Sequence, residues 1–436
     1  MGKPPHLREQ QKILLNFQTN INVLGELMDL IVAKFDGNSL ATGAQIKMAA
    51  QSVIKEHTKG KKVVVVVSAV SETTDNLIAL SNDAVGFALT ERQQAEIMAM
   101  GERTSGRIFE ATLKSLGADA IYIDPYDEDW PIISDSNFLK ANIDFDITCH
   151  MLHNIEKILN EDQIPVICGF LAKGHGGEIT TLGRGGSDIT AFLIGSCLDA
   201  REVIIITDVD GVMSSDPRQI EKAELLNEIS VEEIRTLATK GAQIINPHAL
   251  KYKDPKMNVK IINFTHGDLT ANGTNIIGPF EDTSKKSVTL YGEPLSIIAI
   301  VGEDMQEKVG PLREITNCLA ENNINIYKIS AGDNSITTFI DKNDAQKAYH
   351  ILHDLVLKSD IFNSLSLGRD IAMITLVSPD VIEKPSIISD VTEPLRKNRI
   401  NIIEINSSQT SLVILVDWSE GKKACSLIKE ILDETI

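Results

Sequence analysis

The fold is decided by the stretch Lys62-Val-Val-Val-Val-Val-Ser-Ala-Val-Ser-Glu-Thr-Thr74, in which an apolar run passes directly into a polar loop. A strand covered on both faces has such an unbroken apolar run, whereas a half-exposed strand alternates. Further runs of this kind are separated by helical stretches: Leu30–Ala33, Ala120–Ile123, Pro165–Cys168, Glu202–Ile206 and Val259–Ile262. The pattern predicts an α/β domain over residues 30–280, with a mostly parallel sheet sandwiched by helices.

Several of these runs end in polar or glycine-rich loops. The loops are Lys34-Phe-Asp-Gly-Asn-Ser39, Ser68–Thr74, the segment from Gly169 onwards and Thr207-Asp-Val-Asp-Gly211. Open α/β sheets bind ligands at the carboxyl ends of their strands, so we expect the loops to line one site.

The segment Thr180-Thr-Leu-Gly-Arg-Gly-Gly-Ser-Asp188 precedes the helical run Ile189–Leu198. Its glycines let backbone N–H groups approach an anion, and the helix that follows adds a positive dipole end. Arg184 offers a planar fork for a carboxylate, and Asp188 could orient an ammonium or a metal-bound water. The alternative is that Ser187 and Asp188 only cap the helix.

The remaining loops carry weaker signals. Lys34 with Gly37 is similar to a phosphate cradle, and the stretch Thr207–Arg218 could bind ribose and phosphate or be an ordinary acidic turn. Gly101-Glu102-Arg103 lies in a helical stretch, where a solvated charged turn is the alternative. The H-x-x-H pairs, His150/His153 and His350/His353, lack a third ligand at zinc spacing, so no metal site is predicted.

The last 140 or so residues contain an internal duplication. Sliding residues 319–356 by 76 positions aligns Leu319 with Leu395, Asn322 with Asn398, Ile324-Asn-Ile326 with Ile400-Asn-Ile402, Ser335 with Ser411 and Asp341 with Asp417. Each copy has the pattern strand, helix, strand, turn, strand, helix. This predicts two small ferredoxin-like α+β units over residues 287–365 and 366–436, which should pair because each leaves a sheet face and an edge uncovered.

Residues 1–29 have an apolar stripe with helical spacing, Leu14, Phe17, Ile21, Leu24 and Met28, which predicts an N-terminal helical extension. The alternative is that translation starts at Met28.

Composition narrows the class of protein. The 436 residues predict two to four domains, and a net charge of −19 disfavours a nucleic-acid partner. No apolar run approaches the length of a membrane helix, so no membrane association is expected. The five cysteines are scattered and form no C-x-x-C pair, which argues against a disulfide framework and favours a reduced, cytoplasmic protein.

Taken together, the motifs resemble those of the aspartokinases of the amino acid kinase family. They occur in that family's order: Lys34-Phe-x-Gly-x-Ser39, Val-Ser68-Ala, Gly101-Glu102, Gly-Arg184-Gly-Gly-Ser-Asp188, Thr207-Asp208-Val-x-Gly and Asp216-Pro-Arg218. The duplication is similar to the paired ACT regulatory domains of the same family. The resemblance covers residues 30–436.

The resemblance implies that the protein transfers the γ-phosphoryl group of Mg-ATP to the β-carboxylate of L-aspartate. The product would be 4-phospho-L-aspartate, in the first step of lysine, threonine and methionine biosynthesis. ATP and Mg²⁺ are the implied cofactors, and lysine or threonine is the implied allosteric effector. A homodimer or higher homo-oligomer, joined through the ACT-like units, is implied as well.

The same resemblance gives roles to individual residues. Lys34 and Asp188 would be catalytic, with Lys34 neutralising the transferring phosphoryl group. Arg184 would hold the α-carboxylate of aspartate and Glu102 its ammonium. Ser68, Thr74 and Ser187 would complete the aspartate site. The nucleotide would contact Lys34, Gly37, Ser39, Thr207, Asp208, Met213, Arg218 and Gln243.

The chain departs from the family pattern near the expected phosphates. Asp36 and Asn38 stand where Gly and Thr are expected, Gln243 and Asn246 replace Lys and His, and Met213 replaces Tyr. Asp36 could disturb the phosphate cradle or could help to hold Mg²⁺. The alternative functions are a catalytically impaired, amino-acid-sensing homologue and another amino acid kinase acting on acetylglutamate, glutamate or UMP. The ACT-like duplication and the Glu102/Arg184 pair favour an aspartokinase.

Overall fold

The computed structural model describes residues 29–86, 88–216, 220, 222–239, 245–280, 287–305, 307–378, 386–408 and 411–434. The predicted N-terminal helix, apart from Asp29, lies outside these residues. The chain divides into two compact units, residues 1–281 and 282–436. Each unit is described by itself.

The described part of the first unit contains two sheets. Its strands are β1 (Leu30–Phe35), β2 (Lys62–Val67), β3 (Ala120–Ile123), β4 (Ile133–Ser134), β5 (Ile164–Cys168), β6 (Leu171–Gly174), β7 (Ile179–Thr181), β8 (Glu202–Thr207), β9 (Glu228–Ser230), β10 (Asn258–Asn263) and β11 (Thr274–Ile277). The larger sheet has the order β3-β5-β2-β1-β8-β10-β11-β9, and the smaller one the order β4-β6-β7. The six neighbours from β3 to β10 are parallel, so their carboxyl ends share one edge.

Helices cover both faces of the larger sheet. They are α1 (Gly43–His57), α2 (Thr73–Val85), α3 (Glu91–Ser115), α4 (Phe145–Asn160), α5 (Gly186–Cys197) and α6 (Val231–Thr239). All five valines of β2 are fully buried. Three of them pack in one core with residues of α1 and α3, and the alternate two pack in another with α4 and α5. The predicted α/β sandwich is confirmed.

The smaller sheet brings the glycine-rich loop to the site edge. Strand β7 ends at Thr181, and Leu182–Gly185 connect it directly to α5. The N–H of Leu182 donates to the carbonyl of Phe170 at 2.8 Å, which ties the loop to the end of β5.

The second unit repeats itself at an offset of 76 residues. Its strands are β12 (Ser287–Leu290), β13 (Leu295–Val301), β14 (Ile326–Gly332), β15 (Ser335–Asp341), β16 (Ser364–Val377), β17 (Ile402–Ser407) and β18 (Ser411–Asp417), and its helices are α7 (Pro311–Glu321), α8 (Ala345–Lys358), α9 (Ile387–Lys397) and α10 (Gly421–Glu434). The bounds of α7, α8 and β15 recur in α9, α10 and β18 at that offset. The predicted duplication is confirmed.

The two repeats pair within the chain by sharing one sheet, of order β14-β15-β13-β16-β18-β17. The first half of the long strand β16 pairs with β13, and its second half pairs with β18. Strand β12, which precedes the first repeat, pairs with the second half of β16 and so completes the sheet of the second repeat.

Equivalent residues of the two repeats meet where the free faces of the sheet pack together. The core of this contact consists of Leu295, Phe339, Ile371 and Leu415. Beside it, the ammonium of Lys328 lies 2.5 Å from a carboxylate oxygen of Glu404. Each member of these pairs is 76 residues from its counterpart. If two copies of the first repeat packed together in this way, two lysines would face each other at this position. The second repeat has Glu404 there, so the observed pair is complementary.

This ion pair should stabilise the second unit. Lys328→Glu places two carboxylates together in a partly buried contact, and we expect the free energy of unfolding to fall by roughly 1–3 kcal/mol. The double variant Lys328→Glu/Glu404→Lys should recover most of the loss. Calorimetry of the full chain measures both changes. The exposed Arg369–Asp417 pair is the control, because Arg369→Glu should cost much less. Equal losses in the single and double charge variants would contradict the assignment.

The cysteine pattern misled the sequence prediction at one position. Cys149 of α4 and Cys197 of α5 form a disulfide, with their Cα atoms 5.0 Å apart. The two helices lie in contact on the same face of the sheet, a proximity that 48 residues of sequence separation conceal. The expectation of a fully reduced chain is therefore wrong for this pair, while Cys168, Cys318 and Cys425 are free thiols.

In the part of the chain that the structure describes, no helix has both the length and the apolar composition needed to cross a bilayer.

Candidate active site

A buried ion pair lies at the carboxyl edge of the larger sheet. The ammonium of Lys34, near the end of β1, is 2.8 Å from Oδ1 of Asp188 in the first turn of α5. Burial alone would lower the pKa of Lys34, but the carboxylates of Asp188 and Asp36 raise that pKa above its ordinary value. Lys34 is therefore a fixed positive charge at neutral pH.

The N-terminus of α5 is open toward the same edge. Gly183 and Gly185 have φ angles of 75° and 71°, a conformation that glycine adopts without strain. The N-cap position is Gly185, and among the described residues no side chain caps the helix, so the capping interpretation of Ser187 and Asp188 is wrong. Ser187 packs against Gly169, where a Cβ would lie 2.6 Å from the Ser187 Cβ. The N–H groups of Gly186 and Asp188 donate back to the carbonyls of Gly183 and Gly185, so what the helix end offers to an anion is chiefly its positive dipole.

Arg184 extends from the loop before α5. The residue is exposed, and among the residues that the structure describes its guanidinium has no hydrogen-bond or ion-pair partner. Its backbone carbonyl accepts a hydrogen bond from the side-chain amide of Asn246 at 3.0 Å. The guanidinium is therefore available to a carboxylate or phosphate while its backbone is held in place.

Glu102, on α3, is a buried carboxylate with one oxygen to spare. Its Oε1 accepts from the N–H of Ala69 at 3.3 Å, whereas Oε2 has no hydrogen-bond partner in the described structure. Burial raises the pKa of Glu102 to about 8. The hydroxyl of Thr74 is also buried without a partner, and a Cβ at Gly101 would lie 2.8 Å from it. Buried polar atoms that have no hydrogen-bond partner among the described residues indicate that a polar ligand binds next to them.

The raised pKa of Glu102 has a consequence for stability. An acid whose pKa is higher in the folded protein binds its proton more tightly there, so the free energy of unfolding falls as pH rises from the ordinary glutamate value to about 8. We expect Glu102→Gln to match the wild type in melting temperature near pH 5 and to exceed it above pH 8. Glu96→Gln, a partly exposed carboxylate on the same helix, is the control. Parallel melting curves for wild type and Glu102→Gln across this range would show that the carboxylate is not desolvated.

The loop after β1 is tightly folded. Oδ1 of Asp36 accepts from the N–H of Ser39 at 2.8 Å, and the Ser39 hydroxyl donates to the Asp36 carbonyl at 2.7 Å. At Gly37 a Cβ would lie 2.7 Å from the carbonyl oxygen of Ala69, so no side chain fits there. The Asp36 carboxylate therefore shapes the loop, and the Ser39 hydroxyl proton is used within it.

Side-chain contacts join this loop to the ends of β8 and β10. The amide of Asn38 donates to Oδ2 of Asp208 at 2.9 Å, and the Thr207 hydroxyl donates to Oδ1 of Asp208 at 3.3 Å. The amide of Asn263 donates to Asp210 at 2.9 Å. Met213 lies beyond these contacts, half-buried and bridged to Leu225.

The structure brings most of the predicted site residues to one edge. Lys34, Gly37, Ser39, Ser68, Thr74, Glu102, Arg184, Ser187, Asp188, Thr207 and Asp208 all lie on loops or helix starts at the carboxyl ends of the parallel strands, or on the helices packed there. Arg218 and Gln243 fall outside the described residues. Sequence reasoning missed the Ala69 N–H, the Asn38–Asp208 contact and Asn246. The only signal for the two asparagines was their departure from the family pattern.

The arrangement favours charge neutralisation and positioning. It combines a fixed cation, an open helix N-terminus, an unoccupied arginine fork and a buried carboxylate with a free oxygen. Such a set can hold a phosphorylated anion next to a small molecule that carries both a carboxylate and an ammonium.

Comparisons with known proteins agree with this description. The Amino acid kinase family profile matches residues 29–263, and two ACT domain profiles match residues 298–355 and 366–430. The aspartokinase of Mycolicibacterium smegmatis is 30% identical over 417 residues, covering 92% of this chain and 96% of that protein. The aspartokinase of Helicobacter pylori strain 26695 is 29% identical over 400 residues, covering 89% and 95%.

Solved structures share the fold. The aspartate kinase of Synechocystis has a TM-score of 0.74 at 24% identity, covering 92% of this chain and 69% of that one. Escherichia coli aspartokinase III, solved in complex with aspartate and ADP, has a TM-score of 0.53 at 22% identity, covering 92% and 99%. The chain therefore belongs to the aspartokinases, kinases of the amino acid kinase family, and carries two ACT domains.

Proposed function

We propose that the protein transfers the γ-phosphoryl group of Mg-ATP to the β-carboxylate of L-aspartate, giving 4-phospho-L-aspartate and ADP. The observation that carries the proposal is the Lys34–Asp188 pair, 2.8 Å apart, beside the open N-terminus of α5. Both features stabilise negative charge at one point of the sheet edge, which is what phosphoryl transfer requires of a protein.

The reaction does not require the protein to form a covalent intermediate. A carboxylate oxygen of aspartate attacks the γ-phosphorus, the new O–P bond forms, and the bond to the bridging oxygen of ADP breaks. The β-carboxylate is already ionised at neutral pH, so no base has to remove a proton. Lys34 would neutralise the charge on the transferring group, and Asp188 would hold the Lys34 ammonium in place.

The residues proposed to bind aspartate carry charges opposite to those of its α-carboxylate and ammonium groups. We assign the α-carboxylate to the Arg184 guanidinium and the ammonium to the free Oε2 of Glu102. Ser68, Thr74 and Ser187 would complete this half of the site. An ammonium next to Glu102 favours the ionised form, so aspartate should bind more tightly as pH rises toward the pKa of about 8.

The nucleotide half would comprise Lys34, Gly37, Ser39, Thr207, Asp208 and Met213, with Arg218 and Gln243 from the segments not described. Mg²⁺ would arrive with ATP as part of the substrate. The Asp36 carboxylate suits a hard cation because only Oδ1 is used in the loop, by the Ser39 N–H.

We also propose the domain bounds, the allosteric effector, the assembly and the pathway of this protein. The kinase domain would span residues 30–280, with ACT domains at 287–365 and 366–436. Lysine or threonine would act as allosteric effector, in a homo-oligomer joined through these domains. The reaction would open lysine, threonine and methionine biosynthesis, and the proposed location is the cytoplasm.

An ADP-release assay tests the proposal when the acceptor is varied. L-aspartate should support Mg²⁺-dependent turnover, whereas L-glutamate, N-acetylglutamate and UMP should not. Calorimetry with ATP and L-aspartate is run in parallel. Binding of both ligands without turnover would contradict the proposal and identify an amino-acid-sensing homologue instead.

A further inference from the structure

We infer that Asn246 is a positioning residue, which holds the Arg184 loop and Asp188 in the geometry that binds the amino-acid substrate. The role of the two residues in substrate binding rests on the proposed function. The contacts of Asn246 are a property of the fold alone.

Three hydrogen bonds fix Asn246 between the two parts of the site. Its backbone N–H donates to Oδ2 of Asp188 at 2.9 Å, and its side-chain amide donates to the carbonyl of Arg184 at 3.0 Å. Its side-chain carbonyl accepts from the N–H of His248 at 2.9 Å. The last bond orients the side chain, so that the amide nitrogen faces the loop.

The packing at Gly185 brings the two segments together. Gly185 has a φ of 71°, and a Cβ there would lie 2.7 Å from the Cβ of Asn246. The asparagine side chain therefore lies directly against the glycine backbone, in space that any other residue at 185 would fill. This close approach lets a short side chain reach the Arg184 carbonyl.

The segment that carries Asn246 is anchored in the hydrophobic core of the first unit. Ile245, Ala249 and Leu250 are buried in the core of the first unit. The short turn Ala249–Tyr252 packs against α5, the helix that carries Asp188. A displacement of Asn246 would therefore be transmitted to the loop and not absorbed by its own segment.

The contacts form one connected path across the site. Lys34 pairs with Asp188, Asp188 accepts from the Asn246 backbone, and the Asn246 amide holds the Arg184 backbone. Asn246 thus links the phosphate-side cation to the residue proposed for the substrate α-carboxylate. Loss of its side chain leaves the Asp188 bond intact but frees the Arg184 carbonyl, so the effect should fall on the amino-acid substrate.

The variant Asn246→Ala tests this inference in the full chain. We expect KM for L-aspartate to rise about tenfold, with kcat and KM for ATP within about threefold of wild type. A general loss of stability would lower kcat through the active fraction and leave KM unchanged. Asn398→Ala is the matched control, because its amide also donates to a backbone carbonyl, at 3.1 Å, but in the second unit. The control should leave both kinetic constants unchanged.

Hydrogen–deuterium exchange supplies a readout that needs no substrate. The backbone amides of residues 183–188 should exchange faster in Asn246→Ala than in wild type. In Asn398→Ala their exchange rates should be the same as in wild type. Unchanged exchange at residues 183–188 overturns the inference, and so does an unchanged KM in an enzyme that turns over. A wild type with no aspartate-dependent turnover would refute the proposed function instead, and exchange would then decide the inference alone. If Asn246→Ala does not fold, the isosteric Asn246→Asp, which loses the donor to Arg184, is judged by the same results.

Discussion

Lys34→Met should lower kcat for phosphoryl transfer by roughly 1,000-fold. A unit charge about 4 Å from the transferring group contributes about 4 kcal/mol at an effective dielectric of 20, and each 1.4 kcal/mol is about tenfold in rate. Lys34 is buried, and its charge is fixed by Asp188 and Asp36, so water cannot replace it easily. Steady-state kinetics with saturating ATP and L-aspartate measure the change.

A matched control distinguishes this role from damage to the fold. Lys62→Met removes a lysine from the neighbouring strand β2 at the opposite end, where it pairs with Asp162, and should leave kcat near the wild-type value. Because Lys34→Met leaves Asp188 buried without its cation, the double variant Lys34→Met/Asp188→Asn is measured as well. It should regain stability and remain inactive. A Lys34→Met enzyme within tenfold of wild type would remove Lys34 from the phosphoryl site.

Arg184→Ala should raise KM for L-aspartate by about 100-fold and leave ATP binding nearly unchanged. A charge-assisted, bidentate contact with a carboxylate is worth roughly 1.5–3 kcal/mol, which corresponds to about 10- to 150-fold. The fold should not suffer, since the guanidinium has no partner among the described residues and the loop is held through the Arg184 backbone. Initial rates at varied aspartate, with calorimetry for ATP, measure both effects.

Arg201→Ala is the comparison for this variant, as an exposed arginine that pairs with Asp29 away from the site edge. It should change neither constant. An unchanged aspartate KM in Arg184→Ala would mean that another group binds the α-carboxylate.

Local patterns were sufficient for the six parallel neighbours of the larger sheet but not for β9 and β11 beyond them. The unbroken valines of β2 are buried on both faces, as the apolar run predicts, and the 76-residue offset gave the helices of the second unit. The pattern did not reveal that β12 joins the second repeat or that β16 serves both repeats. Those pairings depend on which strand edges remain free once the other strands have paired.

The site was predictable to the extent that parallel strands bring their carboxyl ends together. From this rule we expected the loops that carry Lys34 and Asp188, 154 residues apart in sequence, to line one site. In the structure the two side chains form an ion pair at 2.8 Å. The rule could not predict side-chain contacts between loops, such as Asn38 with Asp208 or Asn246 with Arg184. These depend on the exact approach of two irregular segments. The Cys149–Cys197 disulfide escaped prediction because the contact between α4 and α5 joins residues 48 positions apart, which no local pattern shows.

The proposed reaction phosphorylates the side-chain carboxylate of aspartate and so yields an acyl phosphate. Hydroxylamine traps this product, because an acyl phosphate reacts to give a hydroxamate whereas simple ATP hydrolysis does not. With Mg-ATP and L-aspartate, we predict aspartyl β-hydroxamate in equal amount to the ADP released, and a rate of formation roughly 1,000-fold lower with Lys34→Met. Release of ADP without hydroxamate would rule out aspartate as the phosphoryl acceptor, and an equal rate from the Lys34 variant would remove Lys34 from the reaction.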